Sequence, residues 1–276
     1  DKSESPQISV AQRSPSTRGQ VALVYGIALG TAAVVIAPLS ALLWRSLTRT
    51  TPGATRFTLA GWRAVTSSTT LGAISTSTLF ALCAMVIATV LGLMVALGVA
   101  YGSPRFVWLE RISVLPLTVS AVTIGLGILI TYDTAPYDFR SAWMVTPLAH
   151  SLIALPLVVR IVLPVVQQIP RGLQSVASTL GATPLQTWLT VDRPLMSRAV
   201  GASAAIAFAI SIGEFGATSF LTRRSSETLP VTISRLLSRP GDALRTQAYA
   251  LCVIIVVISM IAIFLIDMLR PSRKAK

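Results

Sequence analysis

Charge is what this chain has least of. Of 276 residues only 12% are Asp, Glu, Lys or Arg, against 53% that are hydrophobic. A soluble domain carries charge on about a quarter of its residues, so a water-facing skin over the whole surface is excluded and much of the apolar surface must face lipid. Acids are scarcer still, 10 against 23 basic residues, which leaves a net charge of +13. In a soluble protein that excess would point to nucleic acid. Here the arginines stand at the ends of apolar runs, where they meet lipid headgroups and set topology. Aromatic and basic residues are not interleaved as a base-stacking surface requires, so no nucleic-acid partner is expected. One histidine and two cysteines form no cluster with metal-ligand spacing, so no metal site is expected. Cys83 and Cys252 lie inside apolar runs and read as small packing residues. No nucleophile–base pair and no paired carboxylates occur at catalytic spacing, so the chain is not expected to be an enzyme.

What is present is a series of membrane-length apolar runs. A crossing helix needs about 20 apolar residues. Residues 21–44, 71–101, 112–131, 143–159, 199–221 and 246–266 qualify or nearly so. Pro38 is expected to kink the first run, and Pro116 with two glycines interrupts the third. The fourth is short and is extended if it runs on to Pro164. The expected fold is therefore all-α, a polytopic membrane protein with six transmembrane helices. Residues 1–20 read as a flexible tail or linker, 21–269 as the transmembrane domain and 270–276 as a basic tail. Six crossings put both termini on one side, which carries 13 Lys and Arg against 10 on the other. That is a slight positive-inside bias towards cytoplasmic termini. The segments 45–63 and 223–245 are basic for an outer face; they suit either headgroup anchoring or an anionic solute or partner. Gly, Ala, Ser and Thr along the runs permit close helix approach in lipid.

The informative interruption is 171–194, RGLQSVASTLGATPLQTWLTVDRP. Leu173, Val176, Ala177 and Leu180 fall on one helical face. Gly181 stands where a helix end favours positive φ. Thr183 and Pro184 suit the N-cap and first position of a new helix, with Leu185, Trp188 and Leu189 as its apolar face and Pro194 as its end. Two short amphipathic helices hinged at 181–183 are expected. Spacing alone suits a docking element and a hairpin resting on headgroups equally well.

The same segment resembles the inner-membrane permeases of ABC importers. Their loop reads Glu-Ala-Ala, three residues, Gly, nine residues, Ile-x-Leu-Pro. This chain has Ser175-Val176-Ala177, then Gly181, then Val191-Asp192-Arg193-Pro194, with Ser175 in place of the Glu and Arg193 in place of the Leu. The segments LPLVVRIVLPVVQQIP, TLGATPLQTW, SIGEFGATSFLTRR and TLPVTISRLLSRPG are similar to the ferric-iron and thiamine branch of that family, and sulfate and molybdate permeases share a GEFGA-like segment. The likeness covers about residues 115–241. It implies a type I importer permease in the cell membrane, with 171–194 as its coupling loop and Ser175, Ala177, Leu180, Gly181, Ala182, Pro184, Leu185 and Pro194 on the ATPase-docking surface. It implies as partners a dimer of cytoplasmic ABC ATPases, a second permease half and an extracytoplasmic solute-binding protein. This chain carries no GxxxxGKS/T phosphate loop, so ATP and Mg are expected on the ATPase. A sequence opening at Asp1 on a linker-like stretch is expected to be one six-helix half of a fused permease, with a homodimer or a separate partner as alternatives. Ferric iron or thiamine is the expected solute, and sulfate or molybdate the alternative.

Glu214 is the one acid well inside an expected span, where an unpaired charge costs at least about 2.5 kcal/mol. Two readings stand. Gly213, Glu214, Phe215 and Gly216 form a translocation path or gate, or a neutral or Arg-paired Glu214 locks helices together. His150 is expected to be a hydrogen-bonded packing residue. Asp133 and Asp138, with Tyr132 and Tyr137, read as solvated outer-loop residues. A secondary transporter or channel would need more intramembrane charge or repeated broken helices, and a membrane enzyme a clustered polar site.

Overall fold

The computed structural model describes residues 17–51, 54–132, 143–223 and 226–268. The two tails beyond those limits, Asp133, Tyr137, Asp138 and Arg224 lie outside the described residues.

The chain runs α1 (Arg18–Leu47), a hairpin β1 (Thr48–Thr51) and β2 (Ala54–Phe57), α2 (Ala60–Val65), α3 (Ser68–Tyr101), α4 (Val107–Val114), α5 (Ala121–Tyr132), α6 (Val145–Gln167), α7 (Arg171–Thr179), α8 (Pro184–Thr187), α9 (Arg193–Ile212), α10 (Thr218–Leu221), α11 (Leu229–Leu237) and α12 (Asp242–Met268). Among the described residues five helices are long and apolar enough to cross a membrane. They are α1, α3, α6, the run from Pro184 to Ile212, and α12.

The third expected span is not a straight crossing. The 3-10 turns and α4 over Pro104–Thr118 meet α5 at a bend of 98°. Pro116 has no N–H to continue a helical ladder, and the chain leaves helical geometry in an extended residue at Val119. With 12 residues, α5 is about 18 Å long, too short to cross a hydrocarbon core of about 30 Å alone. A sixth crossing exists only if the bent pair is taken together.

Three spans make the centre. Along α3 the small residues Ala84, Ala88, Gly92 and Ala96 recur every fourth position and are buried. A Cβ on Gly92 would strike the side chain of Val158. That stripe lets α3 seat directly on α6, whose Ala154, Val158, Val159, Val162 and Val166 form one core with Met196 and Ala207 of α9. Lipid tails are as apolar as these side chains, so close van der Waals packing of small residues holds the bundle. Hydroxyls within the spans bond back to their own helix, as Thr78 does to the Ile74 carbonyl (2.8 Å) and Ser203 to that of Val200 (2.9 Å). These two hydroxyls need no water to satisfy them, whereas the buried Thr89 hydroxyl on α3 has no partner among the described residues.

Segments expected to be loops are partly structured. The Thr-rich stretch after the first span folds into the hairpin, Arg49 facing Arg56 in its register. The basic stretch 223–245 between the last two expected spans contains α11. Its Leu229, Ile233 and Leu236 pack on Val65, Ala73, Ala248 and Leu251. The reason is local: Thr228 precedes Pro230 at the first turn, and the buried positions recur at helical spacing. By contrast α1 buries only Ser46.

Candidate functional site

The 171–194 segment folds at its hinge as its residue types require. Helix α7 ends with Gly181 at φ +84. The Ala182 N–H donates to the Ala177 carbonyl (3.0 Å) and the Gly181 N–H to that of Ser178 (3.0 Å). These two bonds define a Schellman motif, which satisfies carbonyls that a helix end otherwise leaves orphaned. The next helix starts two residues later with a reciprocal cap. The Gln186 N–H donates to Thr183 Oγ1 (3.3 Å), and the Thr183 N–H donates to Gln186 Oε1 (2.8 Å), with Pro184 following the cap. The helix stop at Gly181 and the restart at Thr183 fall where the residue types placed them.

The end of the second helix does not. Pro194 lies inside a helix that continues from Pro184 to Ile212. Between Trp188 and Asp192 the helix widens to a π turn, and the Arg193 N–H reaches the Trp188 carbonyl five residues back. A proline ring clashes with the carbonyl four residues before it and supplies no N–H; the widened turn accommodates both defects. The second helix of the loop is therefore the first part of the fifth span.

The apolar side chains of this loop are left uncovered. Leu180 is 81% and Leu185 67% exposed, and Leu173, Val176 and Leu189 are exposed as well. Ser175 is on the exposed surface of α7, its carbonyl accepting from Ser178 Oγ (2.7 Å) and Thr179 Oγ1 (2.9 Å). Ala177 and Ala182 are half-buried at the turn, and Pro184 and Pro194 are exposed. One residue that sequence reasoning passed over ties the loop down. Asp192 is buried in the π turn. Its Oδ1 accepts from Gln174 Nε2 of α7 (2.9 Å) and from the Tyr101 hydroxyl at the end of α3 (3.5 Å). The only sequence signal was an acid beside the motif proline.

The second set of expected residues lies at the far end of α9. The helix stops at Gly213, and the chain turns through Glu214, Phe215 and Gly216 into α10. Glu214 is 8% exposed. Its Oε1 accepts from the Ala217 N–H (2.9 Å), and its Oε2 accepts from the Thr218 N–H (3.1 Å) and the Thr218 hydroxyl (2.7 Å). Among the described residues no arginine pairs with Glu214; the opposing group is His150 of α6, with Nε2 3.4 Å from Oε2. His150 is 1% exposed, with Nδ1 2.7 Å from Ser211 Oγ and Nε2 2.7 Å from Thr218 Oγ1. A neutral imidazole gives one consistent chain of donors: Ser211 hydroxyl to Nδ1, Nε2–H to Thr218, Thr218 hydroxyl to Glu214. Each member of the chain is buried and each has a partner, as a network in a low-dielectric site requires. Gly216 packs tightly, a Cβ there lying 3.1 Å from Ala121 and 3.2 Å from Glu214 Oε1. Phe215 is exposed. Gly213 has only an ordinary contact, 3.7 Å to the Ala209 carbonyl. Among the described residues no group of three or more metal-ligating side chains converges.

The helical fold has a counterpart among solved structures. It superposes on a chain of a bacterial ABC transporter involved in the import of the acidic polysaccharide alginate, with TM-score 0.68 over 92% of this chain and 96% of that one, at 15% identity. The chain belongs to the family of binding-protein-dependent transport system inner membrane components, whose model matches residues 88–275. It is similar to the 2-aminoethylphosphonate transport system permease protein PhnV of Salmonella typhimurium, with 29% identity over 79% of this chain and 76% of that protein. It is also similar to the molybdenum transport permease ModB of Haemophilus influenzae (30%, 59% and 76%) and the sulfate transport permease CysT of Salmonella typhimurium (28%, 76% and 79%). The family is one of transport components, so the chain is a membrane transport subunit and not an enzyme.

Proposed function

We propose that this chain forms half of the translocation path of an ATP-driven importer and receives the stroke of a cytoplasmic ATPase dimer at residues 171–194. The observation that carries this reading is the exposed apolar surface of Leu180 and Leu185 on either side of a rigid hinge. Gly181 fixes the angle of that hinge with backbone bonds and Thr183 with a reciprocal side-chain cap, so a push on the surface is not absorbed by a floppy turn. Asp192 then passes the displacement on, because one carboxylate oxygen holds both α7 through Gln174 and α3 through Tyr101. ATP and Mg belong to the ATPase. A second permease half and an extracytoplasmic solute-binding protein complete the machine in the inner membrane, with termini on the ATPase side. The long apolar exposure of α1 supports a partner half or lipid beside it.

The solute is an oxyanion in this reading. Sulfate and molybdate were the alternative to ferric iron or thiamine, and the relatives above are named for phosphonate, molybdenum and sulfate transport. The ligand that copurifies with the cognate binding protein tests the solute. For docking, Gly181→Trp places a bulky side chain at φ +84 in the middle of the surface. ATPase copurification is expected to fall together with transport. Unchanged association and transport in this variant would refute the docking surface.

A further inference from the structure

The face opposite the 171–194 loop carries a polar concavity. It lies where α1 ends, the β1–β2 hairpin turns and α12 begins. It encloses about 410 Å3, and Trp44, Arg45, Thr55, Asp242, Arg245 and Tyr249 are among its walls. Two contacts fix its depth. At the end of α3, Tyr101 meets Asp192 of the loop; near the start of α3, Thr70 Oγ1 accepts from Gln247 Nε2 of α12 (3.2 Å). The helix between those points spans roughly 45 Å, the full thickness of a bilayer with its headgroups, about 40–45 Å. Along α1 the distance from Arg18 to Arg45 comes to about 40 Å. The concavity therefore sits at headgroup level.

Its charge suits a phosphate. Arg45 Nη1 donates to the Tyr249 hydroxyl (3.3 Å), and the guanidinium lies over that ring, 5.9 Å from its centroid. Arg245 makes no ion pair with a described acid. Asp242 is met by Arg49 at 4.0 Å, both side chains half in solvent, which is a weak pair. Thr48 and Thr246 direct their protons to the carbonyls of Trp44 and Asp242 (2.8 Å each). The donors in the walls include the Arg45 and Arg245 guanidinium groups and the Tyr249 hydroxyl, and the N-terminal end of α12 adds its partial positive charge. Guanidinium groups take phosphate oxygens in pairs. Trp44, 63% exposed, and Tyr249 have the amphipathic rings that belong at this level of a membrane. Below them the flanks of α1 and α12 are apolar and largely uncovered.

We propose that this concavity binds the phosphodiester of a phospholipid headgroup, whose acyl chains run along α1 and α12. The experiment titrates phosphatidylglycerol into the detergent-solubilised, assembled transporter and follows its unfolding temperature and the lipid retained in native mass spectra. A parallel arm uses inorganic phosphate. Wild type is expected to show saturable lipid binding that phosphate does not displace. Arg45→Gln and Arg245→Gln are each expected to weaken it roughly fivefold. Arg239→Gln, which removes the same charge from an exposed position outside the concavity, is expected to leave it unchanged. Equal weakening by Arg239→Gln overturns the site in favour of diffuse attraction, and unchanged binding in all three variants overturns it outright. Stabilisation by inorganic phosphate that the lipid does not match overturns the lipid source and assigns the cradle to a free anion. Should Arg45→Gln misfold through loss of its Tyr249 contact, Arg245→Gln decides alone.

Discussion

Glu214→Gln separates the two readings of the buried acid. The carboxylate serves two backbone N–H groups, Ala217 on one oxygen and Thr218 on the other, and also the Thr218 hydroxyl. Glutamine has one acceptor oxygen, so one of the two N–H groups must face an amide NH2. A buried donor left without its acceptor costs about 1–3 kcal/mol. Glu214→Ala strands both N–H groups and opens a void, so roughly 2–6 kcal/mol is expected on the same per-group figure. The measurement is reversible unfolding in mixed micelles, followed by tryptophan fluorescence. The order wild type, Gln, Ala is expected, with the Gln variant still copurifying with its ATPase because the loop lies at the other end of α9. Transport should also fall, since α6, α9 and α10 are joined through this one side chain and His150. A Gln variant as stable as wild type would refute the hydrogen-bond argument. Full transport by a well-expressed Gln variant would refute any part for Glu214 in the path or gate.

Three further outcomes are expected. Asp192→Ala should leave ATPase binding in place while transport per ATP hydrolysed falls, because Leu180 and Leu185 are untouched and the ties to Gln174 and Tyr101 are lost; a normal transport-to-hydrolysis ratio would remove Asp192 from the relay. Thr183→Ala should lower stability by about 1 kcal/mol through loss of the cap, seen as faster proteolysis between α7 and α8. Gly125→Val should cost about 1–3 kcal/mol by overpacking, because a Cβ at 125 lies 2.5 Å from the Ala217 Cα and 2.6 Å from its carbonyl oxygen, backbone atoms that cannot swing aside; unchanged unfolding would show that α5 is not seated on α10.

Features set by neighbouring residues were legible in the sequence. Gly181 and Thr183 act within four residues of themselves, and their residue types admit few other geometries. The apolar runs were legible for the same reason, since length and composition suffice to mark a crossing. Helix α11 carried a readable Thr–Pro start and helical spacing at Leu229, Thr232, Ile233 and Leu236, but its polar flanks hid it. Pro194 misled because proline marks a helix end and a widened turn alike, and only the carbonyl of Trp188 decides between them. The partnership of His150 with Glu214 joins residues on different helices, and Asp192 likewise gains its meaning from Tyr101; no local pattern announces either.

Length changes in the chain would act through the widened turn between Trp188 and Asp192. Each residue of an ordinary helix advances about 100° around its axis. One surplus residue absorbed in a wide turn therefore resets the angular phase between the helix before it and the helix after it. Leu185 and Leu189 can then keep their outward heading while Met196 and Ala199 keep theirs into the core. Deleting Val191 would restore an even helical ladder and swing the leucines by about that angle, aiming an intact surface in the wrong direction. Orientation here is stored in a residue count, and a loss of one residue would be felt as a turn of the tool instead of a break in it.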